Sequence, residues 1–361
     1  MDLIKFRKKN SRRFVSLKSK ILLLSIFLIL IPLSIFSIYS YSIINRTFIK
    51  QSISNADQLF NETSLLLELR FENMTSAANM VSTNYTLHNI INDLKDNQDS
   101  LTLLEKGGYF SDLISSYKNT TQVDDIRIFI DNKNIKQLEP FSIYSLDTLL
   151  DTKFREYMSS ELQNRSRSFW LTPFFNNSLH LGYSDTVSLY RVTSDILHYN
   201  DLSSTIRIDM NLSKIQNVIN KGALTSGTLV SLQDEDNVIA SNVPAFISFE
   251  DISKILADKN TKYNTWQKIK VDNKAYLFKY MTMLSVDWNL ITFIPYEDIT
   301  STTRQIRFSI ILLVFILFIL IFSLGFLSIR STLRRISDLS KATKAVQRGK
   351  FDIHFSNTGD D

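Results

Sequence analysis

The sequence predicts an α+β protein that crosses a membrane twice, with a long stalk helix and a bilobed extracytoplasmic domain between the two crossings. Three observations carry this: two uncharged apolar runs, a charge balance that separates the ends from the middle, and a change from helical to alternating periodicity between the runs. The runs are Ile21 to Ile44 and Phe308 to Ile329, 24 and 22 residues without a charged side chain. At about 1.5 Å per residue each spans roughly 33 to 36 Å, enough for a hydrocarbon core of about 30 Å. A cleaved signal peptide is the competing reading of the first run, since a basic leader precedes it. Its length and its close on Tyr39-Ser-Tyr41-Ser-Ile-Ile44 favour an uncleaved anchor. The second run has no polar face, which argues for lipid over burial in a globular core.

Charge orients the chain. Residues 1–20 and 307–361 hold sixteen Lys/Arg against five Asp/Glu, a net +11, and the remainder holds 25 against 31, a net −6. The positive-inside tendency makes both tails cytoplasmic and the acidic middle extracytoplasmic. The pI near 9.1 is therefore a topology signal. Its basic residues form two juxtamembrane clusters and no stripe over a folded domain, so nucleic acid is not an expected partner.

With no cysteine, the outer domain relies on its apolar core without disulfides. Residues 45–94 contain no glycine or proline, and apolar residues recur at Ile49, Ile53, Ala56, Phe60, Leu67, Phe71, Met74, Ala78, Val81 and Tyr85. These steps of three and four predict a stalk helix whose seam serves either a dimer partner or its own domain. A second helix is expected around 101–117 and another over 149–162. Strands follow at 126–130, 168–171, part of 179–192 and 204–209. After a helix at 212–220 come strands at 227–232 and 238–241, a helix at 249–257, and strands at 266–271, 275–283 and 288–294. Helices and antiparallel strands thus fall into two groups, 95–211 and 212–296, each large enough for a small sheet with helices on it.

Little in the chain suggests chemistry. The glycines at 107, 108, 182, 222, 227, 325, 349 and 359 fit no phosphate-cradling spacing, so no ATP site, cofactor or catalytic residue is expected. His88, His180, His198 and His354 are isolated. The acidic turn at Asp234-Glu-Asp-Asn237 resembles a calcium loop but has Ile239 and Ala245 where an EF-hand needs glycine and glutamate. No metal site is expected.

The order of basic leader (1–20), membrane helix (21–44), outer domain (45–306), membrane helix (307–329) and short amphipathic segment (330–361) resembles bacterial double Cache receptors. It is most similar to YesM-like sensor histidine kinases. Three stretches carry the resemblance: Ser204-Thr-Ile-Arg-Ile-Asp-Met-Asn-Leu-Ser-Lys-Ile215, Leu229-Val-Ser-Leu-Gln-Asp-Glu-Asp-Asn-Val-Ile-Ala-Ser-Asn242 and Trp288-Asn-Leu-Ile-Thr-Phe-Ile-Pro295. The resemblance implies a PAS-like, double Cache outer domain with a membrane-distal lobe (95–211) and a proximal lobe (212–296). Ile336, Leu339, Thr343 and Val346, followed by Gly349-Lys-Phe351, resemble the start of a HAMP relay, with Arg335 where that family commonly has proline. A plain amphipathic helix beside the inner membrane face is the alternative.

The implied function is a signal receptor that binds a small extracellular ligand and works as a homodimer. It would be the sensor part of a two-component histidine kinase, with a cytoplasmic response regulator as partner if a kinase region follows. A chemotaxis receptor, a cyclase-type receptor or a kinase-less binding protein could carry the same sensor. Ligand is expected in the distal lobe, where Trp170, Tyr183, Asp185, Tyr190, Arg191 and Asp209 combine aromatic walls with sparse polar anchors. The competing reading is ordinary sheet alternation, half core and half solvent. Amino-acid-binding relatives carry Arg-x-Trp-Tyr. Here Arg167 stands one residue further from Trp170 and Leu171 replaces the tyrosine, so that specificity does not carry over.

Overall fold

A computed structural model describes residues 17–96, 100–130, 135–150, 154, 167–178, 185–194, 202–235, 237–243, 247–258 and 261–348. The chain divides into two compact units, one of residues 51–299 and one combining 1–50 with 300–361.

The larger unit takes its helices and strands in the expected order. Helix α1 runs over Leu17–Thr83, α2 over Tyr85–Asp96 and α3 over Ser100–Thr121. A first five-stranded sheet follows, built from β1 (Asp125–Ile130), β2 (Ile143–Ser145), β3 (Ser168–Leu171), β4 (Thr186–Ser194) and β5 (Leu202–Asn211). Its order is β2-β1-β5-β4-β3, antiparallel except for the β1–β2 pair. Short helices α4 (Asp147–Leu150) and α5 (Pro173–Ser178) and a 3-10 helix (Ile135–Phe141) lie between its strands. Most of the helix expected over 149–162, beyond Leu150 and Phe154, lies outside the described residues.

Helix α6 (Leu212–Lys221) opens the second half, with the Asn211 side chain accepting from the Ser213 amide as its N-cap. The second sheet comprises β6 (Leu229–Gln233), β7 (Val238–Ser241), β8 (Gln267–Val271), β9 (Lys274–Thr282) and β10 (Asn289–Pro295), in the order β7-β6-β10-β9-β8. Helix α7 (Phe249–Ala257) begins at Ser248, whose hydroxyl accepts from the Asp251 amide at 3.2 Å. The β8–β9 hairpin turns on Asp272 and Asn273, at φ 47° and 63°, the left-handed pair of a tight two-residue turn that Asp and Asn tolerate.

The stalk seam packs against its own unit. Phe60, Leu67, Phe71, Met74, Ala78 and Val81 are buried in a core shared with Ile126, Ile128, Leu189 and Ile208 of the first sheet and Val230, Leu232 and Leu290 of the second. Each large apolar side chain so buried contributes about 1.5–3 kcal/mol relative to exposure. Polar contacts fix the register of α1. The Asp57 carboxylate accepts from Lys279 Nζ at 2.6 Å and Trp266 Nε1 at 3.1 Å, and Glu68 accepts from the Ser285 hydroxyl at 2.6 Å. The helix does not continue to Leu94. Asn84 interrupts it and caps α2, its side-chain oxygen accepting from the Leu87 amide at 2.9 Å. Tyr85, placed on the seam by spacing, is 77% exposed on the far side of that break.

In the smaller unit, α1 and α8 (Tyr296–Gln347) each contain a stretch long and apolar enough to cross a membrane. Their apolar side chains, Phe36, Ile38, Phe308 and Leu313 among them, are exposed. The Arg307 guanidinium lies 6.0 Å from the centre of the Tyr41 ring. Ile336 and Leu339 are exposed on α8, and Thr343 Oγ1 donates to the Leu339 carbonyl at 2.9 Å. The Val346 side chain and Gly349 lie outside the described residues.

Candidate functional site

Strand alternation gives the first sheet two faces of opposite character. Ile126, Ile128, Val187, Leu189, Ile206 and Ile208 face the core that includes α1. The alternating positions point the other way: Asp125, Arg127 and Phe129 on β1, Thr205, Arg207 and Asp209 on β5, Ser188, Tyr190 and Val192 on β4, and Phe169 and Leu171 on β3. Leu146, Leu149 and Phe154 pack with Phe129, Phe169, Leu171 and Tyr190 to enclose much of this face.

Register places like charges directly opposite each other, Arg127 against Arg207 and Asp125 against Asp209. Either pair alone is destabilising. The two rows compensate each other along and across the strands. Arg127 Nη2 is 2.7 Å from Asp125 Oδ2, Arg207 Nε is 2.7 Å from Asp209 Oδ1, and Arg127 Nη1 is 3.6 Å from Asp209 Oδ2. Lys118 of α3 also reaches Asp125, at 3.1 Å. Arg207 is 1% exposed and Asp209 2%, so this ion pair is removed from water, an arrangement that costs desolvation free energy unless each charge is closely partnered.

Aromatic rings complete the surface. The Arg207 guanidinium lies 5.4 Å from the Tyr190 ring centre, and the Tyr190 and Phe169 rings stack with centroids 5.5 Å apart. Ser188 donates to Asp209 Oδ1 at 2.5 Å, and Asn176 of α5 donates to Ser188 Oγ at 3.1 Å and to the Thr186 carbonyl at 2.8 Å. Among the described residues, Asp209 Oδ2, Asn176 Oδ1, Thr172 Oγ1 and Thr205 Oγ1 are buried without a hydrogen bond. Buried polar atoms are ordinarily satisfied, and Asp209 and Thr205 put two of these on the charged face itself.

The six residues singled out from sequence are not brought together. Tyr190 and Asp209 lie on the charged face. Trp170 and Arg191 point to the opposite one, because each is one strand position away from a residue of the charged face. Trp170 packs edge-on to Phe71 at 5.5 Å and to Trp288 at 6.0 Å. Arg191 donates to Ser168 Oγ at 2.9 Å and to Asn79 of α1, and its desolvation lowers the pKa of the guanidinium. Asp185 is exposed at the start of β4, where its carbonyl accepts from the Leu212 amide at 2.8 Å. Tyr183 lies outside the described residues.

Arg127, Arg207, Ser188 and Asn176 were not anticipated. The signal for the first two was a charge on alternate positions of otherwise apolar strands, in Asp125-Ile-Arg127 and Arg207-Ile-Asp209. Among the described residues no group of three or more His, Cys, Asp or Glu side chains could hold a metal ion.

No protein-family model matches the chain, and no curated protein matches it. Among solved structures it is similar to the sensory domain of the Campylobacter jejuni chemoreceptor Tlp3, at 9% identity and TM-score 0.43, covering 71% of this chain and 98% of that one. It is similar also to the sensor domain of the V. cholerae histidine kinase DctB, at 12% identity and TM-score 0.39, covering 69% and 98%. The ligand-binding domain of Mlp24 with asparagine matches at 13% identity and TM-score 0.39, covering 73% and 99%. These similarities are slight in both sequence and superposition.

Proposed function

We propose that this chain is a two-pass membrane receptor with a double Cache sensor, both termini cytoplasmic, whose first lobe binds a small extracellular molecule on the charged face of its sheet. The observation that carries the reading is the charge lattice of buried Arg127, Arg207 and Asp209 with half-buried Asp125, edged by Ser188 and Tyr190 and holding buried acceptors without a hydrogen bond among the described residues. A sheet face serving packing alone has no use for it. On the second sheet the corresponding face packs Leu229, Phe278, Ile291 and Phe293 with Ile252 of α7. Signal would leave through α8 and a HAMP-like segment at Ile336, Leu339, Thr343, Val346 and Gly349, in a parallel homodimer. The sensor part of a two-component histidine kinase is the output class we favour.

The test is a thermal-shift screen of the full chain in lipid nanodiscs against a library of small metabolites. A compound at about a hundred times its Kd stabilises the protein that binds it by about 2.7 kcal/mol, because it binds only the folded state. The expected result is at least one stabilising compound whose effect is lost in Asp209→Asn and reduced in Tyr190→Phe, both still folded. A compound whose stabilisation survives both substitutions would place the site elsewhere.

A further inference from the structure

Reading the charged face as a ligand site gives a meaning to a residue that touches none of its charges. We infer that Asn176 is a positioning residue, which sets the hydrogen-bond direction of Ser188 and thereby fixes Asp209 with one carboxylate oxygen turned to the site. Asn176 is fully buried in the six-residue helix α5, immediately after β3. A buried amide is tolerated only for the hydrogen bonds it makes, and losing it leaves its partners unsatisfied.

Its bonds have a definite polarity. The amide nitrogen has two protons; one goes to the Thr186 carbonyl at 2.8 Å and the other to Ser188 Oγ at 3.1 Å. Ser188, accepting from the amide, has its own proton free for Asp209 Oδ1 at 2.5 Å. Arg207 Nε donates to that same oxygen at 2.7 Å. Two donors thus converge on Oδ1, while Oδ2 receives no hydrogen bond among the described residues and has Arg127 Nη1 beside it at 3.6 Å. The carboxylate cannot turn without breaking both bonds, so Oδ2 is held as a fixed acceptor for a donor group of the bound molecule. Without Asn176 the Ser188 hydroxyl is free to turn to backbone carbonyls, and Oδ1 loses one of its two constraints. The same chain of bonds ties α5 to the occupancy of Asp209.

The test compares the loss of melting temperature caused by Asn176→Ala in two backgrounds of the full chain in nanodiscs, with no small molecule added. One background is wild type. The other is Arg207→Met/Asp209→Leu, which replaces the ion pair by apolar side chains of similar size. Among the described residues Asn176 donates to the Thr186 carbonyl and Ser188 Oγ and not to Asp209, so a residue that only tied α5 to β4 would cost the same in both. Positioning predicts a clearly smaller loss where no carboxylate remains to be held, as expected for groups in one network. Equal losses would overturn the inference. If the pair replacement does not fold, Asp209→Ala, which leaves Ser188 no side-chain acceptor at that position, serves as the second background with the same two outcomes, and Asn176→Ser replaces Asn176→Ala if that variant does not fold. Because no ligand is present, failure here leaves the metabolite screen untouched, and failure of the screen leaves this comparison standing.

Discussion

Lys279 shows how much one residue can hold in place. Its side chain is 4% exposed, its ammonium is 2.6 Å from Asp57 of α1, and it lies 4.6 Å from the Phe60 ring centre. The hydrogen bond from Lys279 comes first among the causes that hold the Asp57 carboxyl below its usual range, with smaller help from Trp266. A depressed carboxyl pKa adds stability that is present above the unfolded value, near 3.9, and is lost as pH falls through the folded value. Acidifying from pH 5 to pH 3 should therefore lower the melting temperature of the wild-type chain more than that of Asp57→Asn, in which this group has no charge to lose. The difference is kept small by solvent, since the Asp57 side chain is 45% exposed. Equal acid sensitivity in the two proteins would show that the pair does not anchor α1 to the second sheet.

At the scale of elements, α1 organises the larger unit through one face. Phe71 is fully buried, 5.5 Å from the Trp170 ring of β3 and 5.3 Å from the ring of Trp288, the residue before β10. Leu65, under two turns away, is 70% exposed. Phe71→Ala should destabilise the unit by about 3–5 kcal/mol and Leu65→Ala by less than about 0.5 kcal/mol, read by tryptophan fluorescence during denaturation. Similar costs would mean that the buried seam is not the structural one. That seam was legible in steps of three and four, and the strands were legible in their β-branched runs, because burial on one face imposes a period. The elements that escaped have none. The three residues of β2 pair parallel at a sheet edge, six residues form α5, and a single capping Asn84 breaks the helical stretch over 45–94, which lacks glycine and proline. The charged face was half legible for a related reason. Alternation shows that Arg127 and Arg207 share a face with Asp209, but whether that face meets water depends on Leu146, Leu149 and Phe154, which arrive from segments between the strands.

At the scale of the whole molecule, the question is what the exposed apolar stripe at the end of α8 meets. Ile336 is 57% exposed and Leu339 62%, beyond the stretch apolar enough for lipid and among Arg330, Arg334, Arg335 and Lys341. Thr343 and Val346 continue the stripe by steps of four and three, the spacing at which two helices bury a common seam. A single copy offers nothing to cover Ile336 and Leu339 among the described residues, whereas a parallel second copy presents the same stripe at the same height. Asp338 lies off the stripe, with its carboxylate 3.4 Å from Lys341 of its own helix. The chain has no cysteine of its own, so a single introduced one reports without background. A cysteine at Leu339 should form an intermolecular disulfide in membranes faster than one at Asp338, because the bond requires Cα atoms within about 7 Å and only the seam brings symmetric positions so close. Faster crosslinking at Asp338, or equal rates at the two positions, would count against a parallel pair on this stripe and favour a helix lying along the inner membrane surface.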